Sequence, residues 1–300
     1  MNFEEFSARA IKEIENQTKG EWKTGIRKVV KNNGVVLTGI YAEKKGKGAQ
    51  PLVYLEPLYQ RVEQGENIRD VICEMLRMIE QSSGMQELGQ FGRIIEKNLE
   101  NYSVVKDYLV YKLIQTKGNE KLLASVPHVS YLDLSLIFEL GWETDSETVM
   151  EVRVNNELAK CWGVSAHILE EQAMINTPRL RPARLLAMRT NQIEEVDMRE
   201  PLSFEKIWMY ILTNQQGVNG AAVILYDGAL RQLADRFGCD LIVLPSSVHE
   251  TLLVPYSPLT EYQELNSIVT HVNEAEVPVE ERLSDHAYQY IRAEDRLVAM

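Results

Sequence analysis

The segment LIVLPSSVHETLLVP, Leu241 to Pro255, places two short apolar runs only six residues apart. Parallel strands need a crossover of about a dozen residues or more, so runs this close pair as an antiparallel hairpin. The same punctuation recurs upstream. Between Ile26 and Gly65, β-branched and aromatic runs are broken at Asn32-Asn33-Gly34 and at the Gly/Lys loop Glu43 to Gly48. Asn and Gly tolerate the positive φ that tight turns require. LDLSLIFELG and TVMEVRVN, separated by WETDSE, form a third pair of runs, and KIWMYILTN reads as a further strand.

Helical periodicity fills the intervals. Phe3, Phe6, Ala10, Ile11 and Ile14 share one face of a helix from Phe3 to about Gln17. Asn67 is a suitable N-cap for a helix carrying Ile68, Ile72, Met75, Leu76 and Ile79. Further helices are expected from Asn156 past SAHILEEQAM, over GAAVILYDGALRQLADRFG up to Gly238, and from Thr260 to Asn273. VVKDYLVYKLIQ is a buried helix or strand. TPRLRPARLLAMRTNQIEEVDMREPLSFE reads as a long connection, because prolines 178, 182 and 201 interrupt any single helix.

Strand–strand–helix arrangements thus recur near residues 34–80, 132–175 and 240–273, without repeated sequence. The expectation is an α+β fold of mainly antiparallel sheets built from strand-strand-helix units, packed with helices in two halves. The halves are an N-terminal α+β domain over 1–118 and a C-terminal α+β domain over 119–300 that carries the LPSSVHE hairpin.

Composition narrows the partners. A net charge of −12 repels phosphate, so nucleic acid is disfavoured as a partner unless two basic patches converge. These are Lys23, Arg27, Lys28 and Lys31 with EKKGKG, and Arg179, Arg181, Arg184 and Arg189. No apolar run approaches the roughly 20 residues of a membrane span, and the acidic amphipathic start is unlike a signal peptide. A cytoplasmic location is expected, with Cys73, Cys161 and Cys239 as reduced core thiols.

The residues with chemical potential cluster at the hairpin tip. Ser246, Ser247, His249 and Glu250 supply nucleophile, base and acid, but neighbours on one strand point to opposite faces, and a triad is normally assembled from separate elements. Neither a nucleophile elbow nor a second zinc-binding histidine is present. The simpler reading is a turn whose hydroxyls satisfy its own backbone, with His249 or Glu250 bonded to a neighbouring loop. Asn176, Asn214, Asp285 and His286 are candidate ligand-binding residues. A metal would require His249, His286 and Asp285 or Glu250 to converge, which their spacing does not require. Gly217 and Gly220 in GVNGAA are expected to give a turn and a close backbone approach, since no phosphate-loop or dinucleotide pattern is complete. No metal or cofactor is assigned.

The segments MYILTN, GAAVILY, LPSSVHE and LSDHAYQY, with KNNGVVLTG and PHVSYLDL upstream, resemble a clostridial (Firmicutes) family, domain of unknown function 5688. The resemblance covers nearly the whole chain and implies a bacterial cytosolic setting, with no activity or catalytic residue to carry over. The functional expectation is an accessory protein that binds another protein and is associated with mobile elements. The alternative is a hydrolase or small-ligand enzyme using the 246–250 cluster with Asn176 or Asp285.

Overall fold

The computed structural model describes residues 1–19, 21–44, 52–82, 89–143, 149–189, 192–197, 207, 209–245, 247–257 and 262–300. It is an α+β protein with antiparallel sheets, as the hairpin punctuation requires. The chain divides into two compact units, one of 1–31, 35–99 and 143–150, the other of 32–34, 100–142 and 151–300.

The first unit begins with α1 (Phe3–Gln17), which a capping box starts: the Asn2 side chain accepts the Glu5 N–H at 2.8 Å and Glu5 accepts the Asn2 N–H at 3.1 Å. Strands β1 (Trp22–Val30), β2 (Val36–Lys44) and β3 (Leu52–Tyr54) form an antiparallel meander. α2 (Leu55–Glu63), α3 (Ile68–Ser82) and α4 (Gly89–Asn98) follow. Asn67 does cap α3, its side chain accepting the Arg69 N–H at 2.9 Å. The spaced apolar positions Phe6, Ala10 and Ile14 of α1 meet Ile40 of β2, Leu55 of α2 and Val71, Met75 and Ile79 of α3 in one core. Each large side chain there contributes about 1.5–3 kcal/mol by leaving water. LEPLYQRVE, within the stretch read as hairpins, is helical as α2. The Gly/Lys loop at 45–50 lies outside the described residues.

The chain continues with α5 (Tyr102–Val105), β4 (Leu109–Gln115), α6 (Glu120–Leu123), β5 (His128–Tyr131), β6 (Leu134–Glu143) and β7 (Val149–Arg153), which lie in the second unit except for Glu143, Val149 and Met150. β4, β5 and β7 all pair with β6, so the ambiguous VVKDYLVYKLIQ resolves into a short helix and a strand, and β4 belongs to this unit. The helix expected from Asn156 is two, α7 (Asn156–Trp162) and α8 (Ala166–Leu180), broken where Gly163 takes φ +68°. Pro178 sits inside α8, close enough to its end that little helix remains to disrupt.

Next come β8 (Ala183–Arg189), β9 (Gln192–Val196), β10 (Met209–Asn214), a 3-10 helix over Gly220–Leu225, α9 (Ala229–Phe237), β11 (Leu241–Leu244), β12 (Thr251–Pro255), α10 (Tyr262–Glu276), β13 (Tyr288–Ile291) and β14 (Arg296–Ala299). Their strands form a seven-stranded sheet in the order β14-β13-β11-β12-β10-β8-β9. The supposed long connection at 177–205 therefore contributes two of these strands and the end of α8. GAAVIL is a 3-10 helix, separated from α9 by Gly228 at φ +68°, and Gly238 closes α9 at φ +73°. α10 covers one face of the sheet through Val269 against Ile242 and Leu244. The cysteines are free, but Cys73 and Cys161 are exposed and Cys239 is half-buried, because each falls on a polar helix face or a turn rather than in a core.

Candidate functional site

The LPSSVHE segment joins β11 to β12, whose register pairs Leu244 with Leu252 and Leu241 with Pro255. Ser246 lies outside the described residues. The Ser247 hydroxyl accepts the His249 N–H at 2.9 Å, a local serine turn. The imidazole is engaged elsewhere: its Nδ1 accepts the Asn219 N–H at 3.3 Å, which places a ring proton on Nε2, 3.7 Å from Glu281 Oε1. That last distance is too long for a hydrogen bond. The His249 carbonyl accepts from Thr213 Oγ1 at 2.7 Å, and the Val248 N–H donates to the Glu281 carbonyl at 2.8 Å. Hydroxyl, imidazole and backbone of the tip thus serve its own bend and its neighbours.

Gly220 makes this closeness possible. A Cβ there would stand 2.1 Å from Thr213 Oγ1, 2.4 Å from the His249 carbonyl oxygen and 2.8 Å from the Asn214 nitrogen. Asn214 is fully buried and holds the same loop, its side chain donating to the Val218 carbonyl at 2.8 Å and accepting the Val218 N–H at 3.3 Å.

The other candidates do not join the tip. Asn176, on α8, donates to the Lys106 and Leu109 carbonyls at 2.7 and 3.0 Å and so ties the helix to the start of β4. Asp285 accepts from Asn273 Nδ2 at 2.9 Å; the exposed His286 gives its backbone N–H to Ser284 Oγ at 3.0 Å. No hydrogen bond among the described residues links Asn176, Glu250, Asp285 or His286 to the His249 ring. Nor do the described residues gather three or more histidine, cysteine or acidic side chains in a group able to hold a metal. Ser284 Oγ and the Tyr288 hydroxyl instead both donate to Asp133, at 2.7 and 2.6 Å. Burial first, and then the Asp133 charge, push the Tyr288 phenol well above its ordinary range.

Sequence reasoning missed a buried charge network that ends at the tip. Lys112 at the centre of β4 reaches Glu139 of β6 at 2.7 Å, and Lys112 stands 4.0 Å from Glu151 of β7. Arg181, just past α8, contacts Glu151 at 2.6 Å, and Asn219 donates to both Glu151 oxygens at 2.8 and 3.1 Å. Arg181 lies over Gly141, where a Cβ would meet its Nη2 at 2.7 Å. Burial would raise Glu151, but Lys112 and Arg181 outweigh it and hold the carboxyl down to about 2. Glu139, fully enclosed, is raised because burial exceeds what Lys112 returns. Glu139 Oε2 and Arg181 Nη1 are buried with no hydrogen-bond partner among the described residues. A signal existed: Glu139 and Lys112 each interrupt an otherwise apolar strand, and charged residues are almost never fully buried unless paired.

Three of the four arginines in the second basic patch meet carboxylates of the chain itself. Arg181 is committed to Glu151, while Arg184 and Arg189 meet Glu195 and Glu194 across β8 and β9 at 2.8 and 2.6 Å. Arg179 donates to the Asp107 carbonyl at 2.9 Å.

Fold and site together define an α+β protein of antiparallel sheets whose polar hairpin tip is locked to a buried ion network. The chain belongs to the family of unknown function DUF5688, whose model matches residues 3–292. No curated protein and no solved structure matches it. No helix among the described residues is long and apolar enough to cross a membrane.

Proposed function

We propose that the protein is a bacterial cytoplasmic accessory protein that binds another protein, through the outer edge of β9. The observation that carries this reading is a strand edge that is unpaired among the described residues, beside exposed apolar surface. β9 ends the seven-stranded sheet and, among the described residues, pairs only with β8. Its residues Gln192 to Glu195 are all exposed, and Ile193 is 59% exposed. By register Ile193 lies opposite Met188, and Met188 opposite Met209, so an apolar row crosses three strands on the face that α10 covers further in. An unpaired edge offers backbone donors and acceptors to an added strand, and side-chain rows beside it give the choice of partner. The chain's charge of −12 favours a partner segment that is extended and basic. Free, exposed thiols at Cys73 and Cys161 suit a reducing compartment.

The test is a photo-crosslinking residue placed at position 193 in cells, with position 132 as an exposed apolar control. One discrete protein adduct from 193, absent from 132 and lost on placing Lys at 188, supports the reading. Equal adducts from both positions, or none from 193, removes it.

A further inference from the structure

We propose that a cleft in the second unit, remote in sequence from the hairpin tip, binds a small organic cation with an apolar body. The cleft encloses about 360 Å3, within the range of about 300–1,000 Å3 common for small-molecule sites. It lies among β5, α8, α9 and the β13–β14 hairpin, all within the one unit. Among the described residues its charged lining is two carboxylates, Glu170 on α8 and Asp295 in the turn before β14, against one cation, Arg231 of α9. Leu136, Met174, Leu230 and Leu297 supply apolar wall in the same cleft.

The cation position is already occupied by a stand-in from the chain itself. Arg231 Nη1 lies 3.1 Å from Asp295 Oδ2, while the Tyr290 hydroxyl donates to Asp295 Oδ1. Tyr290 is buried, and its hydroxyl fixes the orientation of the carboxylate. The Arg231–Asp295 pair is weak, because the two side chains are 61% and 50% exposed and water competes for both. An ammonium or guanidinium group whose body also fills the apolar wall therefore displaces Arg231 at small cost. Tyr131 and Tyr290 at the same cleft add aromatic surface, which suits a cation better than an anion. An anion would have Arg231 and the first turn of α9 to bind, but would face Glu170 and Asp295.

Phenethylamine and 3-phenylpropionate, an anion on the same phenethyl body, separate these cases when titrated calorimetrically into the full chain. Saturable binding of the amine alone is expected. Asp295→Asn, which keeps side-chain shape, weakens it roughly tenfold or more, as loss of a charge-assisted hydrogen bond does. Arg231→Ala tightens it several-fold by freeing Asp295, and circular dichroism verifies that both variants are folded. Glu170→Gln is the second acid variant, with a smaller loss. The proposal is overturned if the amine fails to saturate, if the carboxylate binds instead, or if Arg231→Ala weakens the amine. Neither result bears on β9, whose crosslinking is read independently.

Discussion

Replacing Glu151 by Gln removes one charge and almost no volume from the centre of the ion network. Arg181, 4% exposed, then keeps a guanidinium in the interior without its counter-charge, and Asn219 loses an ionised acceptor. Breaking a buried pair from one side costs about 3–5 kcal/mol. The carboxyl's own titration gives a second measure. Its folded value of about 2 lies below the ordinary 4.5, and at about 1.36 kcal/mol per pKa unit the difference is worth about 3 kcal/mol. Because the folded value is the lower one, this stability is fully present above pH 4.5 and is lost as pH falls toward 2. Glu139 has the opposite sign: raised in the fold, it favours folding when protonated and loses that contribution as pH rises above its ordinary value. Part of its rise comes from Glu151, so the substitution relaxes Glu139 and trims the loss. Urea unfolding of wild type and variant at neutral pH and near pH 3, with hydrogen exchange of the β6 amides, reads both effects. The variant is expected to be less stable by about 3 kcal/mol at neutral pH, with the gap closing in acid. A gap below about 1 kcal/mol at neutral pH, or parallel profiles, would falsify the account of Arg181 as a charge held by Glu151.

Three further substitutions probe the same unit. Gly220→Ala drives a methyl into the His249 carbonyl and the Asn214 nitrogen, and is expected to cost about 3 kcal/mol or more in thermal or urea unfolding. Ser247→Ala removes one local hydroxyl bond and is expected to cost about 1 kcal/mol or less, measured by thermal unfolding; a loss of several kcal/mol would show that the hydroxyl has a partner beyond its own turn. Tyr288→Phe leaves Asp133 with one hydroxyl donor in place of two; the expected loss is about 1.5–3 kcal/mol, and an unchanged urea midpoint would contradict it.

The hairpin around 241–255, α1 and α3 are legible because local signals agree there: alternating or helical periodicity, a cap and a turn. β8 and β9 are not, because their rule-breaking is local and their justification is not. Arg184 and Arg189 look like a basic patch until register places Glu195 and Glu194 beside them. QIEEV is polar because it is an edge strand, with water rather than protein on most sides. GAAVIL reads as helix from its apolar content, yet the positive φ of Asn219 and Gly228 bounds it as a separate 3-10 segment. At the tip the residue types and the bend were visible. Asn219 and Glu281 were not, since each meets His249 across about 30 residues of chain and neither carries a motif.

Asn219 joins the hairpin tip to the ion network. It sits in the left-handed region at φ 54°, ψ 30°, gives its backbone N–H to His249 and its side chain to Glu151. The polar hairpin tip is then the outer end of a chain of bonds running His249, Asn219, Glu151, Arg181. Asn219→Gly separates the backbone role from the side-chain role, because glycine keeps the left-handed conformation and deletes only the bonds to Glu151. If the chain of bonds is real, that variant loses about 1–3 kcal/mol and shifts the His249 ring signals in NMR although the ring's own donor is a backbone group. Stability lost with the ring signals unmoved would mean that tip and network are held independently, and would refute the chain of bonds.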